Sequence, residues 1–168
     1  MTPDEPSYAL AAELGRALLA RRRRATVAES CTGGLLAGAI TSVAGSSDWF
    51  DVGYVTYSNA AKVTLLGVPD AVLASHGAVS EETARAMALG ALAKSGADIA
   101  AAVTGIAGPS GGTPEKPVGL VYIALAAPEG PVEVVRNLFF GGREQVKYRS
   151  SQKALDLLRR RLRLATGV

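Results

Sequence analysis

Apolar positions along the chain recur with two periods, and each change of period marks an element. From Pro6 to Arg22, Leu10, Leu14, Leu18 and Leu19 fall on one side of a helical wheel, which predicts an amphipathic helix. Ala25 to Ser30 predicts a first strand and Gly33 to Val43 a second helix, with A-G-S-S-D (44–48) as a loop. The mostly apolar and β-branched run Trp49 to Tyr57 predicts another strand. Ser58 can cap a short helix, Asn59 to Leu66, which Gly67 and Pro69 stop, and Pro69 to His76 adds a further helical turn or two.

Ser80 opens a longer helix, Glu81 to Ser95, with two acids in its first turn and Gly96 at its end. Asp98 to Thr104 is apolar at nearly every position, the pattern of a strand buried on both faces. The loop Gly105 to Pro117 is too long to be a mere connection. Val118 to Ala126 and Val132 to Phe140 predict two strands joined through P-E-G-P as a hairpin, and a closing helix runs from Arg143 to Leu164. Helices alternating with strands, plus one late antiparallel hairpin, predict an α/β fold: a three-layer α/β/α sandwich on a mixed, mostly parallel sheet. At 168 residues without linker or repeat, a single domain over 1–168 is expected.

Composition narrows the class. Hydrophobic residues make up 48% and charged residues 20%, so a folded core is expected and not disorder. One cysteine excludes an internal disulfide and a zinc-type cluster. No signal peptide and no membrane-length apolar run are present, so the cytoplasm is the expected compartment. The basic excess of +3 gathers at Arg21–Arg24 and at Arg159, Arg160, Arg161 and Arg163. These lie at predicted helix C-termini, where cations complement the dipole, and no aromatics interleave them as a nucleic-acid surface would require.

The stretch that invites chemistry is Ala28 to Gly34, A-E-S-C-T-G-G, where a strand turns into a helix through small residues. Backbone N–H groups at such a turn can hold anions, Gly33 and Gly34 admit a ligand close to the chain, and Ser30 and Thr32 supply hydroxyls. The plainer alternative is that Ser30 or Thr32 only caps the helix. The single histidine, His76, sits in a polar S-H-G turn and offers no support for a serine–histidine triad. Metal-ligand spacings, the dinucleotide fingerprint and the Walker loop are absent, so neither a metal nor a cofactor is expected. A serine nucleophile would then need a lysine as base. Lys94, Lys147 and Lys153 are expected to face solvent, and Lys116 belongs to the glycine loop. Lys62 has Val63, Leu65 and Leu66 beside it, a setting that lowers an amine's pKa, although spacing alone favours a surface lysine. Cys31 is the rival nucleophile, activated if its thiolate faces the helix N-terminus, or else a small buried hydrophobe.

Four separated motifs, in order, carry a resemblance: A-E-S-C-T-G-G, Y-S-N-A-A-K-V-T-L-L-G-V (57–68), H-G-A-V-S (76–80) and V-T-G-I-A-G-P-S-G-G-T-P-E-K-P-V-G (103–119). From about Ala11 to Leu158 the chain resembles the C-terminal domain of the CinA (competence- and damage-inducible) family. The resemblance implies a stand-alone nicotinamide-nucleotide amidohydrolase that converts nicotinamide mononucleotide to the nicotinate form and ammonia. It implies a catalytic pair, Ser30 and Lys62, supported by Tyr57 and Thr104. Cys31, Thr32, Gly33, Gly34, Gly105, Gly108 and Arg143 are the implied substrate contacts, the backbone of 31–34 holding the oxyanion and Arg143 the phosphate. Ser110, Gly142 and Lys147 depart from the family pattern, the last two near the presumed phosphate end. The implied partner is a small pyridine nucleotide, with neither membrane nor nucleic acid. The apolar hairpin and N-terminal helix offer surfaces for a homodimer. The competing class is a non-catalytic nucleotide- or RNA-binding or regulatory domain of the same fold, which steeply salt-dependent RNA affinity would reveal.

Overall fold

A computed structural model describes residues 4–164; residues 1–3 and 165–168 of the expected domain lie outside the described ones. Helix α1 (Glu5–Ala20) leads to β1 (Ala25–Glu29), α2 (Leu35–Thr41) and, through a 3-10 turn at Ser46–Asp48, to β2 (Phe50–Val55). Helices α3 (Asn59–Leu66), α4 (Asp70–His76) and α5 (Glu81–Ser95) precede β3 (Ile99–Gly105). The hairpin strands β4 (Leu120–Ala126) and β5 (Glu133–Leu138) and the long helix α6 (Arg143–Leu164) complete the chain. The strand order is β2-β1-β3-β4-β5. β1 pairs in parallel with β2 and β3, and β4 runs antiparallel to both β3 and β5. Four of the five strands therefore point one way, as the alternation of elements predicts.

The period of two along the central strands sorts their side chains into two cores. Ala101 and Val103 of β3 join Val27 of β1 in a core with Leu14, Leu18, Trp49 and Leu155 on the side of α1, α2 and α6. Ala100 and Ala102 face the other way, with Ala28, Ala124 and Ala126, against Ala84, Met87, Ala88 and Ala91 of α5. This second core is built almost wholly from methyl groups, so helix and sheet approach closely. Gly90 extends the same economy: a Cβ there would lie 2.0 Å from the Leu66 carbonyl, so only glycine lets α3 seat against α5. Leu19 departs from the expected helix face; it is exposed, because the buried stripe of α1 runs through Ala11, Leu14 and Leu18.

The second helix begins at Leu35 and not at Gly33. Gly33 and Gly34 have φ of +60° and +100°, values outside the helical basin, and they form the turn that separates β1 from α2. The other edges shift by a few residues: β2 ends at Val55, so Thr56 and Tyr57 leave the sheet. That departure matters for the site.

Candidate active site

The parallel strands β1 and β3 end side by side, and the residues that follow them meet a cavity of about 270 Å³. Ser30 follows β1, its N–H donating to the Val103 carbonyl (2.9 Å) and its own carbonyl accepting from Gly33 N–H (3.1 Å). Opposite it stands Lys62. Ser58 Oγ caps α3 by accepting from Ala61 N–H (3.0 Å), and the inward face of that helix carries Lys62 and Leu66, one turn apart. Lys62 is 1% exposed, and its Nζ lies 3.0 Å from Ser30 Oγ. The same nitrogen donates to the carbonyls of Thr56 (2.9 Å) and Tyr57 (3.4 Å). Thr56 is held in turn by its N–H, which donates to the Glu29 carbonyl (2.8 Å). No carboxylate forms an ion pair with Lys62 among the described residues.

A neutral amine has two N–H groups and one lone pair. Two carbonyls can take the N–H groups here, which leaves the lone pair toward the Ser30 hydroxyl. Burial disfavours the ammonium and pushes the pKa of Lys62 down from 10.5, against a smaller opposing pull from Cys31. Cys31 itself lines the cavity at 6% exposure. Burial pushes its thiol up to about 12; a backbone hydrogen bond opposes this, the charge of Glu29 reinforces it, and Lys147 and Lys62 pull the other way. The thiol is thus neutral at physiological pH, unlike an activated thiolate.

The cavity gathers Ser30, Cys31, Tyr57, Lys62, Thr104, Gly105, Gly108 and Arg143, with Ser110 also in its wall. Their roles are not all those expected. The Thr104 hydroxyl donates to the Ala78 carbonyl (2.7 Å), so it ties the H-G-A-V-S loop to the end of β3 and does not orient Ser30 or Lys62. Tyr57 reaches Lys62 only through its carbonyl; its exposed phenol oxygen accepts from Arg143 (3.1 Å). The other terminal nitrogen of Arg143 donates to the Gly108 carbonyl (2.9 Å), so the guanidinium bridges Tyr57 and the glycine loop at the mouth. On the loop's far side Lys116 Nζ donates to the His76 carbonyl (2.6 Å). His76 does not line the cavity and pairs at 3.5 Å with Glu82.

Thr32, Gly33 and Gly34 are not in this wall. Thr32 is fully buried, and the two glycines line a different cavity, of about 280 Å³, with Lys147 and Tyr148 between α1, α2 and α6. Lys147 is half-buried there, not solvent-facing as expected. The largest correction concerns the start of α2. Its N–H groups are not free for a ligand, and neither Ser30 nor Thr32 caps it. The Glu29 carboxylate accepts from Gly34 (3.0 Å), Leu36 (3.2 Å) and Ala37 (2.8 Å). The available sign was an acid at the end of an otherwise apolar strand, A-T-V-A-E, just before G-G. Among the described residues, the N–H groups of Cys31 and Thr32 are engaged by no other residue. No group of three or more His, Cys, Asp or Glu is placed to hold a metal, and no helix is long and apolar enough to cross a membrane, among the described residues.

Fold and site together define a three-layer α/β/α protein with a buried serine–lysine pair where its parallel strands end. The chain belongs to the CinA C-terminal domain family, which it matches over residues 7–162. It is 52% identical over 149 residues to the nicotinamide-nucleotide amidohydrolase PncC of Enterobacter agglomerans, covering 89% of this chain and 91% of that protein. A relative in Moorella thermoacetica is 57% identical over 149 residues, and a CinA-like protein of Anaeromyxobacter dehalogenans 54% over 146. Those two are longer proteins: the matches take in 89% and 87% of this chain, and the chain spans 36% of the length of each. Among solved structures, the competence/damage inducible protein CihA from Agrobacterium tumefaciens superposes with a TM-score of 0.93 at 43% identity. That match covers 97% of this chain and 99% of the other.

Proposed function

We propose that the protein hydrolyses the carboxamide of nicotinamide mononucleotide to nicotinate mononucleotide and ammonia through an acyl-enzyme on Ser30. The observation that carries the reading is the dry amine of Lys62, 3.0 Å from a serine hydroxyl in an open cavity. The 52% identity to a nicotinamide-nucleotide amidohydrolase supports the choice of amide. Neutral Lys62 takes the proton of Ser30 as Oγ bonds to the amide carbon, and the carbonyl oxygen takes up the displaced electron pair. The intermediate collapses as the C–N bond breaks, with the Lys62 proton passing to the leaving nitrogen, so ammonia departs and an ester remains. Water, deprotonated by the same amine, then attacks the ester carbon; the C–Oγ bond breaks, Lys62 returns the proton to Ser30 Oγ, and the carboxylate leaves.

The carbonyls of Thr56 and Tyr57 hold Nζ on line through both steps. The N–H group of Thr32 and that of Cys31, which meets only its own sulfur, are the donors for the oxyanion, since Gly33 and Gly34 give theirs to Ser30 and Glu29. Such donors are commonly worth about 3 kcal/mol of barrier each. Arg143, exposed at the mouth, is the cation for the nucleotide phosphate, and the loop from Gly105 to Gly112 surrounds the ribose. The test is ammonia release from nicotinamide mononucleotide. Wild type turns over with or without EDTA, Ser30→Ala falls by at least about 10³-fold, and Cys31→Ala keeps most of its rate. Activity that survives in Ser30→Ala and vanishes in Cys31→Ala would replace this mechanism with a thiol one.

A further inference from the structure

The buried carboxylate of Glu29 has no part in the chemistry above, yet it is among the most constrained groups in the molecule. It is fully buried, and no cation pairs with it among the described residues. A carboxylate in that position is costly unless its oxygens are satisfied, and here three backbone N–H groups of the α2 start satisfy them. The side chain thereby caps a helix that begins six residues further on. Its main chain is fixed independently, because Glu29 is the last residue of β1 and pairs across both neighbouring strands.

These two anchors close a ring around residues 30–34. One end of the turn is held in the sheet and the other by the carboxylate, with the Ser30 carbonyl receiving Gly33 N–H inside it. The Glu29 carbonyl also accepts the Thr56 N–H, and Thr56 presents its own carbonyl to Lys62 Nζ. One residue thus stands behind both members of the pair: its side chain sets the turn that carries Oγ, and its backbone sets the carbonyl that aims Nζ.

We propose that Glu29 is a positioning residue for the reaction, whose side chain fixes the Ser30 hydroxyl at attacking distance through its three backbone hydrogen bonds. The inference rests on the reading of Ser30 as nucleophile. Glu29→Gln preserves the shape but turns an amide N–H₂ toward backbone donors, so the turn loses at least one of its three bonds. A displacement of about 1 Å in a reacting group costs on the order of 100-fold in rate, so a fall of that size is expected. It should appear in kcat, with KM for nicotinamide mononucleotide changed by less than about twofold, because Glu29 lines no part of the cavity.

The experiment measures kcat and KM together with the rate at which phenylmethanesulfonyl fluoride labels Ser30, in wild type, Glu29→Gln, Glu29→Asp and Glu29→Ala. The labelling rate should fall in parallel with kcat, Asp should retain more of both than Gln, and formate should restore Glu29→Ala saturably where chloride does not. Because labelling needs no substrate, it separates the two proposals. A wild type that is labelled at Ser30 but releases no ammonia overturns the substrate assignment alone, and the variants still report on Glu29. Folded Glu29→Gln with wild-type kcat and labelling overturns the inference, as does a rise in KM at constant kcat. If Gln does not fold, Glu29→Asp decides: wild-type labelling with the shortened side chain overturns it. A wild type neither labelled nor active overturns both.

Discussion

The two ends of the sheet handle charge in opposite ways. At the end where β1 and β3 finish, Lys62 and Glu29 are buried, and their partners are backbone carbonyls and N–H groups. At the end where those strands begin, the arginines are many, and carboxylates meet several of them. Arg23 pairs with Glu129 (3.2 Å), Arg24 with Asp51 (3.4 Å) and Arg161 with Glu133 (3.5 Å). Arg159 adds pairs to Glu13 and Asp156. The arginine-rich end looks more eventful in a sequence, but there carboxylates stand against Arg23, Arg24, Arg159, Arg160 and Arg161. Functional character follows from the amine of Lys62, held dry without a counter-ion, because burial there disfavours the ammonium and pushes its pKa down.

Lys62→Met tests that contrast most severely. A methionine fills nearly the same volume without the amine. Ammonia release should fall by at least about 10³-fold, as for loss of the nucleophile, while the protein becomes more stable. A few degrees in Tm is the expected gain, at about 2–4 °C per kcal/mol for a chain of this size. A variant that is both inactive and less stable would mean that Lys62 holds the fold together and that its burial is structural.

The same group fixes two pH dependences with one sign. Burial lowers the folded-state pKa of Lys62 below its ordinary 10.5, so below that folded value the site holds an unfavourable ammonium. As pH rises through it, the unfolded chain still binds the proton and the folded one does not, so stability increases up to about 10.5. Activity needs the neutral amine and rises over the lower part of that range. The measurement is kcat against pH for wild type, beside the difference in unfolding free energy between wild type and Lys62→Met. An acid limb in kcat should coincide with the onset of a narrowing stability gap. A gap constant with pH would show that the amine does not titrate below its ordinary value.

Much of this was legible in the residues, and the failures have physical causes. The cap and stop of α3 are read from Ser58 and Gly67, and the burial of β3 from its unbroken apolar run. The direction of the Lys62 side chain was not, since Val63, Leu65 and Leu66 make several faces of a two-turn helix apolar. Only the seating of α3 against Gly90 selects the face shared by Lys62 and Leu66. Gly33 and Gly34 sit four residues or fewer from Ser30 yet open onto another cavity, because the chain reverses direction within the turn. The capping role of Glu29 leaves no local pattern for a related reason. Its partners lie five to eight residues ahead, beyond the reach of the ordinary cap-to-third-residue pattern.

The gentlest test falls at the arginine-rich end. Arg24 and Asp51 are about half and two-thirds exposed in their side chains, and their 3.4 Å approach is a monodentate contact in solvent. Exposed pairs of that kind contribute about 0–1 kcal/mol, and salt screens them further. Asp51→Asn should therefore change unfolding free energy by less than about 1 kcal/mol at low salt and by less still at high salt, with kcat unchanged. Arg24 also receives structural use through its backbone, whose N–H donates to Asp98 (2.7 Å), so replacing Asp51 isolates the side-chain pair without disturbing the entry to β1. A large loss of stability in Asp51→Asn would mean that this end, too, relies on charges shielded from water, and the contrast between the two ends would disappear.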